Sequence, residues 1–233
     1  MNVLAIDTSN QILGVALLKD DALLGETVTN IKKNHSVRLM PAIDQLMRDV
    51  NMSSDQLDRI VAAKGPGSYT GVRIGLTTAK SMAWALNIPV VGVSSLEALA
   101  YQGRFFNSYI CPFFDARRGL VYTGLYQWQN NRIVPVSEEQ NILMEEWLLN
   151  LPQENIMFLS QDINLHRKEI EQHLGVRAII PDGSAHLPNP AHLAFAGMNK
   201  QPDETHTLVP NYIRLAEAEA NWLQWQKGKQ DNG

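Results

Sequence analysis

A glycine-rich segment, Gly65-Pro66-Gly67-Ser68-Tyr69-Thr70-Gly71, has the residue types most suited to chemistry in this sequence. It follows a predicted strand and precedes a predicted helix, where glycines allow a tight turn and free N–H groups can bind an anion. The spacing matches neither the Gly-x-x-x-x-Gly-Lys-Ser/Thr loop nor the Gly-x-Gly-x-x-Gly motif. Two interpretations therefore stay open, a tight strand-to-helix turn and a phosphate-binding loop.

A second polar segment, Asp7-Thr8-Ser9, comes directly after the first predicted strand. A carboxylate at this place could hold a metal-bound phosphate, but the same residue types also form ordinary turns. Asp115 follows a strand in the second half of the chain and allows the same two interpretations. The candidate cofactor contacts are therefore Asp7, Gly67 and Gly71, and no particular cofactor is predicted.

The histidines and the single cysteine lack the spacing of a metal site. Two ligands on one helix face stand three or four residues apart, whereas His186 and His192 are six apart, and His166 and His173 are seven apart. Cys111 lies in an apolar run and is predicted to be a buried thiol. The Gly-x-Ser-x-Gly motif of serine hydrolases is also missing. The sequence therefore predicts no metal site and no catalytic residue.

The composition bounds the class of protein. The 233 residues carry 20 basic and 24 acidic side chains, a net charge of −4. Binding to nucleic acid by this chain alone is not suggested, because phosphate neutralisation needs clustered Lys and Arg, but work on RNA beside a basic partner is compatible with it. The N-terminus lacks a signal-peptide pattern, and no apolar run approaches the roughly 20 residues that span a bilayer. We therefore expect a cytoplasmic protein without a membrane partner.

Hydrophobic periodicity predicts alternating strands and helices, which is typical of an α/β protein. Ser36 is the expected N-cap of the first helix. The predicted strands are Val3–Asp7, Ile12–Leu18, Ala22–Thr29, Arg59–Lys64, Pro89–Val93, Tyr109–Phe114, Leu120–Trp128, Ile156–Leu159 and Arg177–Ile180, with Leu208–Arg214 extended. The predicted helices are His35–Val50, Val72–Leu86, Ser94–Gln102, Glu145–Leu151, Leu165–Leu174, Pro190–Lys200 and Ala216–Gln226.

A weak internal repeat predicts two lobes. A strand, an aspartate, a turn and a second strand occur at Val3–Leu18 and again at Tyr109–Gln127. We expect an N-terminal lobe at residues 1–103, joined by a C-terminal helix at 215–227, and a smaller C-terminal lobe at 104–214.

Several segments carry a family resemblance when they are taken in order. They are Asp7-Thr8-Ser9, His35-Ser36 with Leu39 and Pro41, Gly65–Gly75, Asp115-Ala116-Arg117-Arg118, Pro210-x-Tyr212-x-Arg214 and Glu217-Ala218-Glu219. Together they resemble the bacterial TsaB family, formerly YeaZ, along nearly the whole chain. The most specific part is Gly65–Gly75, followed by Ala79-Lys80 and Ile88–Val93.

The resemblance implies the two-lobed actin/Hsp70/sugar-kinase (ASKHA) fold and a role in making N6-threonylcarbamoyladenosine (t6A) at position 37 of tRNAs that read ANN codons. In that system the paralogue TsaD transfers the threonylcarbamoyl group, and TsaB is its non-catalytic, activating scaffold. The ATPase TsaE joins the pair, and TsaB forms a homodimer when TsaD is absent. The chain would meet tRNA only through the complex.

The resemblance also suggests that the first two long helices form the surface that pairs with TsaD. The candidate interface residues are Val37, Met40, Ile43, Met47, Ile74 and Met82. Met40, Ile43 and Met47 are predicted to share a face, so Met47→Arg should weaken TsaD pairing without unfolding the chain. The alternative is that these side chains only cover their own sheet.

Two further functions belong to other classes, a glycoprotease-like metallopeptidase and an ATP-dependent small-molecule kinase. Alignment of Gly92-Val93 with TsaD-like sequences puts the two positions of a His-x-x-x-His metal motif at Ser95 and Leu99, and leucine cannot bind a metal. In the second half, Asp115–Arg118 replaces an Asp-x-Gly-type turn, and its arginine side chains would crowd a phosphate. The favoured prediction is a non-catalytic subunit without a cofactor.

Overall fold

A computed structural model describes residues 1–31 and 34–213. Two β-sheets with helices packed against them make up this part of the chain. The predicted helix at Ala216–Gln226, which was expected to join the first lobe, lies outside the described residues. Arg214 and the Glu217-Ala218-Glu219 segment lie outside them too.

The first sheet has five strands. They are β1 (Asn2–Asp7), β2 (Ile12–Lys19), β3 (Ala22–Asn30), β4 (Arg59–Ala63) and β5 (Val90–Val93). The order is β3-β2-β1-β4-β5, in which β1, β2 and β3 are antiparallel neighbours and β4 and β5 run parallel to β1. The central strands are almost entirely apolar because both of their faces are covered.

Three helices follow strands of this sheet. They are α1 (His35–Asp49), α2 (Tyr69–Leu86) and α3 (Ser95–Ala100). The predicted cap of α1 is wrong, because the Oδ1 of Asn34, not Ser36, accepts a hydrogen bond from the helix backbone. The predicted start of α2 at Val72 is also wrong. The Oγ of Ser68 caps the helix, so the last three residues of the glycine-rich segment form its first turn.

The second sheet has seven strands. They are β6 (Tyr109–Asp115), β7 (Leu120–Thr123), β8 (Tyr126–Gln129), β9 (Arg132–Pro135), β10 (Gln140–Leu143), β11 (Ile156–Leu159) and β12 (Ala178–Ile179). Three further helices lie in this half of the chain, namely α4 (Met144–Leu149), α5 (Ile163–Leu174) and α6 (Pro190–Gly197). The predicted strand Leu120–Trp128 is divided into β7 and β8. At the break, the carbonyl of Leu125 accepts hydrogen bonds from the backbone N–H groups of Val136 and Ser137.

The two sheets repeat one topology. The order β10-β7-β6-β11-β12 has the same sequence of antiparallel and parallel neighbours as β3-β2-β1-β4-β5, and the hairpin β8–β9 is added to it. The repeat noted in the sequence corresponds to the hairpins β1–β2 and β6–β7. The lobe boundary stays a prediction. Helix α6, which was assigned to the second lobe, packs on the first sheet, where Gly197 lies against Val61.

The segment that follows α6 returns along the first sheet. The backbone N–H of Asn211 donates to the carbonyl of Lys64 at 2.7 Å, and the side chain of Leu208 is buried with Val90. No strand forms here in the described residues up to Ile213, although an isolated bridge joins Asp203 to Val90. Within residues 1–31 and 34–213, no helix is long and apolar enough to cross a membrane.

Candidate partner surface and central cleft

A cleft of about 820 Å³, here called the central cleft, lies between segments of the two sheets. On one side it is lined by Asn10, His35 and the start of α2 from Gly67 to Thr70. Across from them lie Asp115 and Asp162, which follow strands of the second sheet. The glycine-rich segment and Asp115, both singled out in the sequence, therefore line one cleft.

The glycines at the start of α2 are explained by close packing on the turn after β1. The Ser68 N–H donates to the carbonyl of Ser9 at 2.7 Å, and the Thr8 hydroxyl donates to the carbonyl of Gly71 at 2.8 Å. A Cβ at Gly67 would lie 2.2 Å from the carbonyl oxygen of Ser9, and one at Gly71 would lie 2.2 Å from that of Thr8. Backbone packing, rather than a ligand, requires glycine at both positions.

Asp7 is buried under the same turn. Its Oδ1 accepts hydrogen bonds from the backbone N–H of Ser9 at 2.8 Å and from the Ser9 hydroxyl at 2.7 Å. Burial raises the pKa of the Asp7 carboxyl, and the bonds from Ser9 oppose that rise. Of the three candidate cofactor contacts, Gly67 lines the central cleft, whereas Asp7 and Gly71 lie behind its wall.

The opposite wall does not fit a directly bound phosphate. The backbone N–H of Asp115 donates to Asp162 Oδ2 at 3.1 Å, and that of Arg117 donates to Asp115 Oδ2 at 3.2 Å. Carboxylates therefore already occupy these two backbone donors of the wall. Burial raises the pKa of Asp162, and the nearby Asp115 charge adds to the rise. The carboxylates of Asp115 and Asp162 would also repel a phosphate, and the single arginine of this wall, Arg117, offsets only part of their charge.

The two positions that align with a metal motif lie inside the core. Ser95 and Leu99 are both buried on α3, and Leu99 packs in the same apolar cluster as Val93 and Ile110. A leucine offers no donor atom to a metal. Among residues 1–31 and 34–213, no group of three or more His, Cys, Asp or Glu side chains could hold a metal ion.

Cys111 is a buried thiol, as predicted. The Trp147 indole N–H donates to its Sγ at 3.3 Å, and burial raises the pKa of the thiol to about 11. A thiol with that pKa stays protonated at neutral pH and is a poor nucleophile. The contacts of Cys111 are therefore those of a packing residue.

Helices α1 and α2 present an outward surface next to the cleft. Val37 is 67% exposed and Met40 is 49% exposed, whereas Ile43 (1%) and Met47 (7%) are buried against the first sheet. On the unbroken helix α1, Met40, Ile43 and Met47 lie within about 60° of one another around the axis, so they share the predicted face. The first sheet covers Ile43 and Met47, whereas Met40, in the N-terminal half of that face, is half exposed. On α2, Ile74 and Met82 are half-buried. The predicted interface itself stays a prediction.

A cation–aromatic cluster lies beside this surface and was missed in the sequence. The guanidinium carbon of Arg73 lies 3.9 Å from the centroid of the Tyr69 ring, and its Nε donates to the Tyr212 hydroxyl at 2.6 Å. Tyr69 and Arg73 also line a groove of about 520 Å³ that reaches Ser36 on α1. The four-residue spacing of Tyr69 and Arg73 is a helix signal that the late predicted start of α2 concealed. We call Val37, Met40, Tyr69, Arg73 and Tyr212 the α1–α2 surface.

Known proteins resemble this chain along its length. Residues 22–222 match the family model described as TsaD, tRNA N6-adenosine threonylcarbamoyltransferase. The chain is 52% identical to the tRNA threonylcarbamoyladenosine biosynthesis protein TsaB of Bacillus subtilis (strain 168), across 97% of this chain and 100% of that protein.

Solved structures show the same relationship. YeaZ from Pseudomonas aeruginosa superposes with a TM-score of 0.78 at 26% identity and covers 91% of this chain and 99% of its own. The ROK hexokinase from Thermus thermophilus has a TM-score of 0.50 at 9% identity, with 85% of this chain and 99% of that one covered. The second likeness concerns the fold alone and confirms the predicted α/β ASKHA class. Sequence and structure together show that the chain belongs to the TsaB (YeaZ) family.

Proposed function

We propose that this protein acts in the biosynthesis of t6A in tRNA, as a non-catalytic partner of TsaD. The observation that carries the pathway is the 52% identity to Bacillus subtilis TsaB over the full length of that protein. The match of residues 22–222 to the TsaD family model supports descent from a common fold with the transferase.

The non-catalytic role is supported by the residues at the two positions that align with metal ligands and by the residues that line the central cleft. Leu99 fills the place of one metal ligand, and Ser95 beside it is enclosed in the core. At the central cleft, Gly67 is packed against backbone and the Asp115 wall is acidic. These features favour a fold that is kept for binding a protein rather than for holding a nucleotide or a metal.

The α1–α2 surface is the proposed contact with TsaD. Val37 and Met40 supply exposed apolar area, and the cluster of Tyr69, Arg73 and Tyr212 supplies the aromatic and arginine side chains that dominate binding energy at many interfaces. The same surface would pair two copies of this chain when TsaD is absent. TsaE would join the heterodimer, and tRNA would be bound by the complex.

A reconstituted reaction tests this proposal. Purified TsaD, TsaE, ATP, threonylcarbamoyl-AMP and a tRNA that reads ANN codons are combined with and without the chain, and t6A is measured in the digested tRNA. We expect modification when TsaD and the chain are both present, and none with the chain alone. If TsaD worked equally well without the chain, or if the chain worked without TsaD, the proposal would be wrong.

Two alternative functions are distinguished by binding measurements on the isolated chain. A metallopeptidase requires stoichiometric zinc or iron, which elemental analysis of the purified protein detects. A small-molecule kinase requires tight nucleotide binding in the central cleft, which calorimetry with ATP and Mg²⁺ detects. The acidic wall of that cleft leads us to expect no heat of binding at micromolar ATP.

A further inference from the structure

Phe105 is held in an exposed position by a backbone that is unfavourable for it. Its φ is 73°, in the left-handed region, and 70% of the residue is exposed. A bulky side chain disfavours this region, whereas glycine or asparagine enters it readily. Packing within the chain does not explain the ring, since most of it lies in solvent. Strained residues with unexplained exposure often mark a functional contact.

The ring nevertheless has a defined place. It meets the Trp128 ring edge to face, with 5.3 Å between centroids and an interplanar angle of 69°. Trp128 in turn meets Tyr101 edge to face at 5.9 Å, and Tyr101 is buried in the core. The rings of Trp128 and Tyr101 therefore connect the exposed Phe105 ring to the core.

Arg104 places a positive charge beside the ring. Its guanidinium carbon lies 5.7 Å from the centroid of Phe105. One of its Nη atoms donates to the Tyr101 carbonyl at 3.4 Å and contacts Nε2 of His192. Burial and then the Arg104 charge lower the pKa of His192 to about 4, so that this imidazole is neutral at pH 7. Both partners of Arg104 in the described part of the chain are uncharged, so its charge is not neutralised by a carboxylate there.

We propose that Phe105 and Arg104, supported by Trp128, form a contact site for an unpaired base and its phosphate in single-stranded RNA. A base would stack on the exposed ring, and the guanidinium would bind the phosphate or stack on the same base. Every base has a π-face, so the site would tolerate any sequence. The inference rests on the proposed function, because position 37 of tRNA lies in a single-stranded loop.

The surroundings favour RNA over a protein partner. Of the two neighbours of Phe105 in the chain, Phe106 packs against the core, whereas Arg104 is exposed. Arg132 pairs with Gln129 across the hairpin and acts electrostatically on Tyr101. Glu97, the carboxylate that also acts on Tyr101, is paired with Lys200 at 2.5 Å. This patch is therefore locally basic on a chain whose net charge is −4, which suits a polyanion.

Fluorescence anisotropy with a labelled 17-nucleotide RNA stem-loop of a tRNA that reads ANN codons tests the site. The full chain is measured alone and mixed with TsaD. Phe105→Gly should weaken RNA binding about 5- to 150-fold, the range for loss of one stacked base, and should keep the melting temperature because glycine suits this φ. Phe105→Tyr should retain the affinity. Leu149→Ala, which removes an exposed apolar side chain on α4, is the matched control and should change nothing.

Each outcome decides for or against the site. A folded Phe105→Gly protein with wild-type RNA affinity would overturn the proposal, and so would RNA binding that is undetectable for both the chain and the mixture. Loss of TsaD co-elution in place of RNA affinity would make the ring a protein contact, which also overturns it. The proposed function is tested separately by the reconstituted reaction: it would be wrong if TsaD formed t6A equally well without the chain.

Discussion

Gly71 illustrates how a single residue can be misread as a ligand contact. It stands in the first turn of α2, where its Cα approaches the carbonyl of Thr8, and the same closeness explains Gly67 beside Ser9. From the sequence, such glycines look the same as those of a phosphate-binding loop. What separates the two cases is a contact between segments about 60 residues apart, which local patterns do not contain.

Gly71→Ala tests this interpretation against helix propensity. Propensity alone predicts that alanine in a helix stabilises the protein by up to about 1 kcal/mol. The added Cβ would instead lie 2.2 Å from a backbone oxygen, so we expect the free energy of unfolding to fall by about 2 kcal/mol in urea titrations. Gly183→Ala has no atom within 4 Å of its Cβ and should cost no more than about 1 kcal/mol for its positive φ. Equal stability of Gly71→Ala and wild type would contradict the packing account.

His192 should make the stability depend on pH. Burial and Arg104 lower its folded pKa to about 4, while an unfolded histidine titrates near 6.5. Between these values the unfolded chain binds the extra proton, so this contribution to the free energy of unfolding is present above about pH 6.5 and is lost as the pH falls towards 4.

The measurement compares wild type with His192→Gln in urea titrations at pH 7 and pH 4.5. The difference between the unfolding free energies of the two proteins at each pH cancels the contribution of the buried carboxyls, which both proteins share. We expect the stability advantage of the wild type to shrink by roughly 2 kcal/mol at the lower pH. Parallel pH profiles for the two proteins would show that His192 is not held neutral by its surroundings.

At the scale of elements, periodicity predicted the first sheet and its helices well, because each strand and helix there has a continuous pattern. Periodicity failed where contacts between residues distant in the sequence determine a strand boundary or the burial of a side chain. Leu120–Trp128 alternates like one strand, but the backbone of Leu125 bonds to residues 136–137. The two strands on either side of it both pair with β6, while β7 also pairs with β10 and β8 with β9. On α1, the apolar stripe predicts the shared face of Met40, Ile43 and Met47, but not that the sheet covers only Ile43 and Met47 and leaves Met40 half exposed.

Met40→Arg tests whether the outward side of α1 binds TsaD. A charge at this half-exposed position should leave the melting temperature unchanged and should weaken TsaD binding at least 10-fold, because an apolar contact at an interface would be replaced by an unpaired charge. Calorimetry or co-elution measures the affinity. Leu165→Arg, an equally drastic change at an exposed position on α5, is the control and should bind normally. Normal TsaD affinity of Met40→Arg would remove α1 from the interface.

Met47→Arg has a different expected result from the one its sequence pattern suggested. The side chain is packed with the first sheet, so an arginine would bury a charge without a partner. We expect loss of the folded state by circular dichroism rather than a folded protein with weak TsaD binding. A cooperative thermal transition at the wild-type temperature would show that α1 can expose this residue.

For the whole molecule, one apolar cluster contains residues of both sheets, and a carboxylate adds a polar link between them. Glu139 accepts hydrogen bonds from the hydroxyl of Ser94 at the end of the first sheet, from the Tyr126 hydroxyl at 2.6 Å in the second, and from the Asn211 side chain at 3.0 Å. Burial, with the charge of Glu139, raises the pKa of Tyr126 well above its ordinary value, so Tyr126 remains a donor. This contact also fixes Asn211, next to Tyr212 of the α1–α2 surface.

Glu139→Ala should lower the free energy of unfolding by about 3 kcal/mol, because three donors lose their shared acceptor. Glu138→Ala, at the neighbouring exposed position, is the matched control and should change stability by less than about 0.5 kcal/mol. Urea titration measures both. Equal effects of the two substitutions would show that the network around Glu139 does not hold the sheets together.

We propose that this chain acts through TsaD and has no transferase activity itself. The most direct test is the rate of t6A formation at fixed TsaD as the chain is added, with wild type and Met40→Arg compared. We predict that activity rises with the wild-type chain to a plateau near one chain per TsaD, that Met40→Arg needs at least 10-fold more, and that the chain without TsaD forms no t6A. Modified tRNA produced by the chain in the absence of TsaD would show that the chain is itself a transferase.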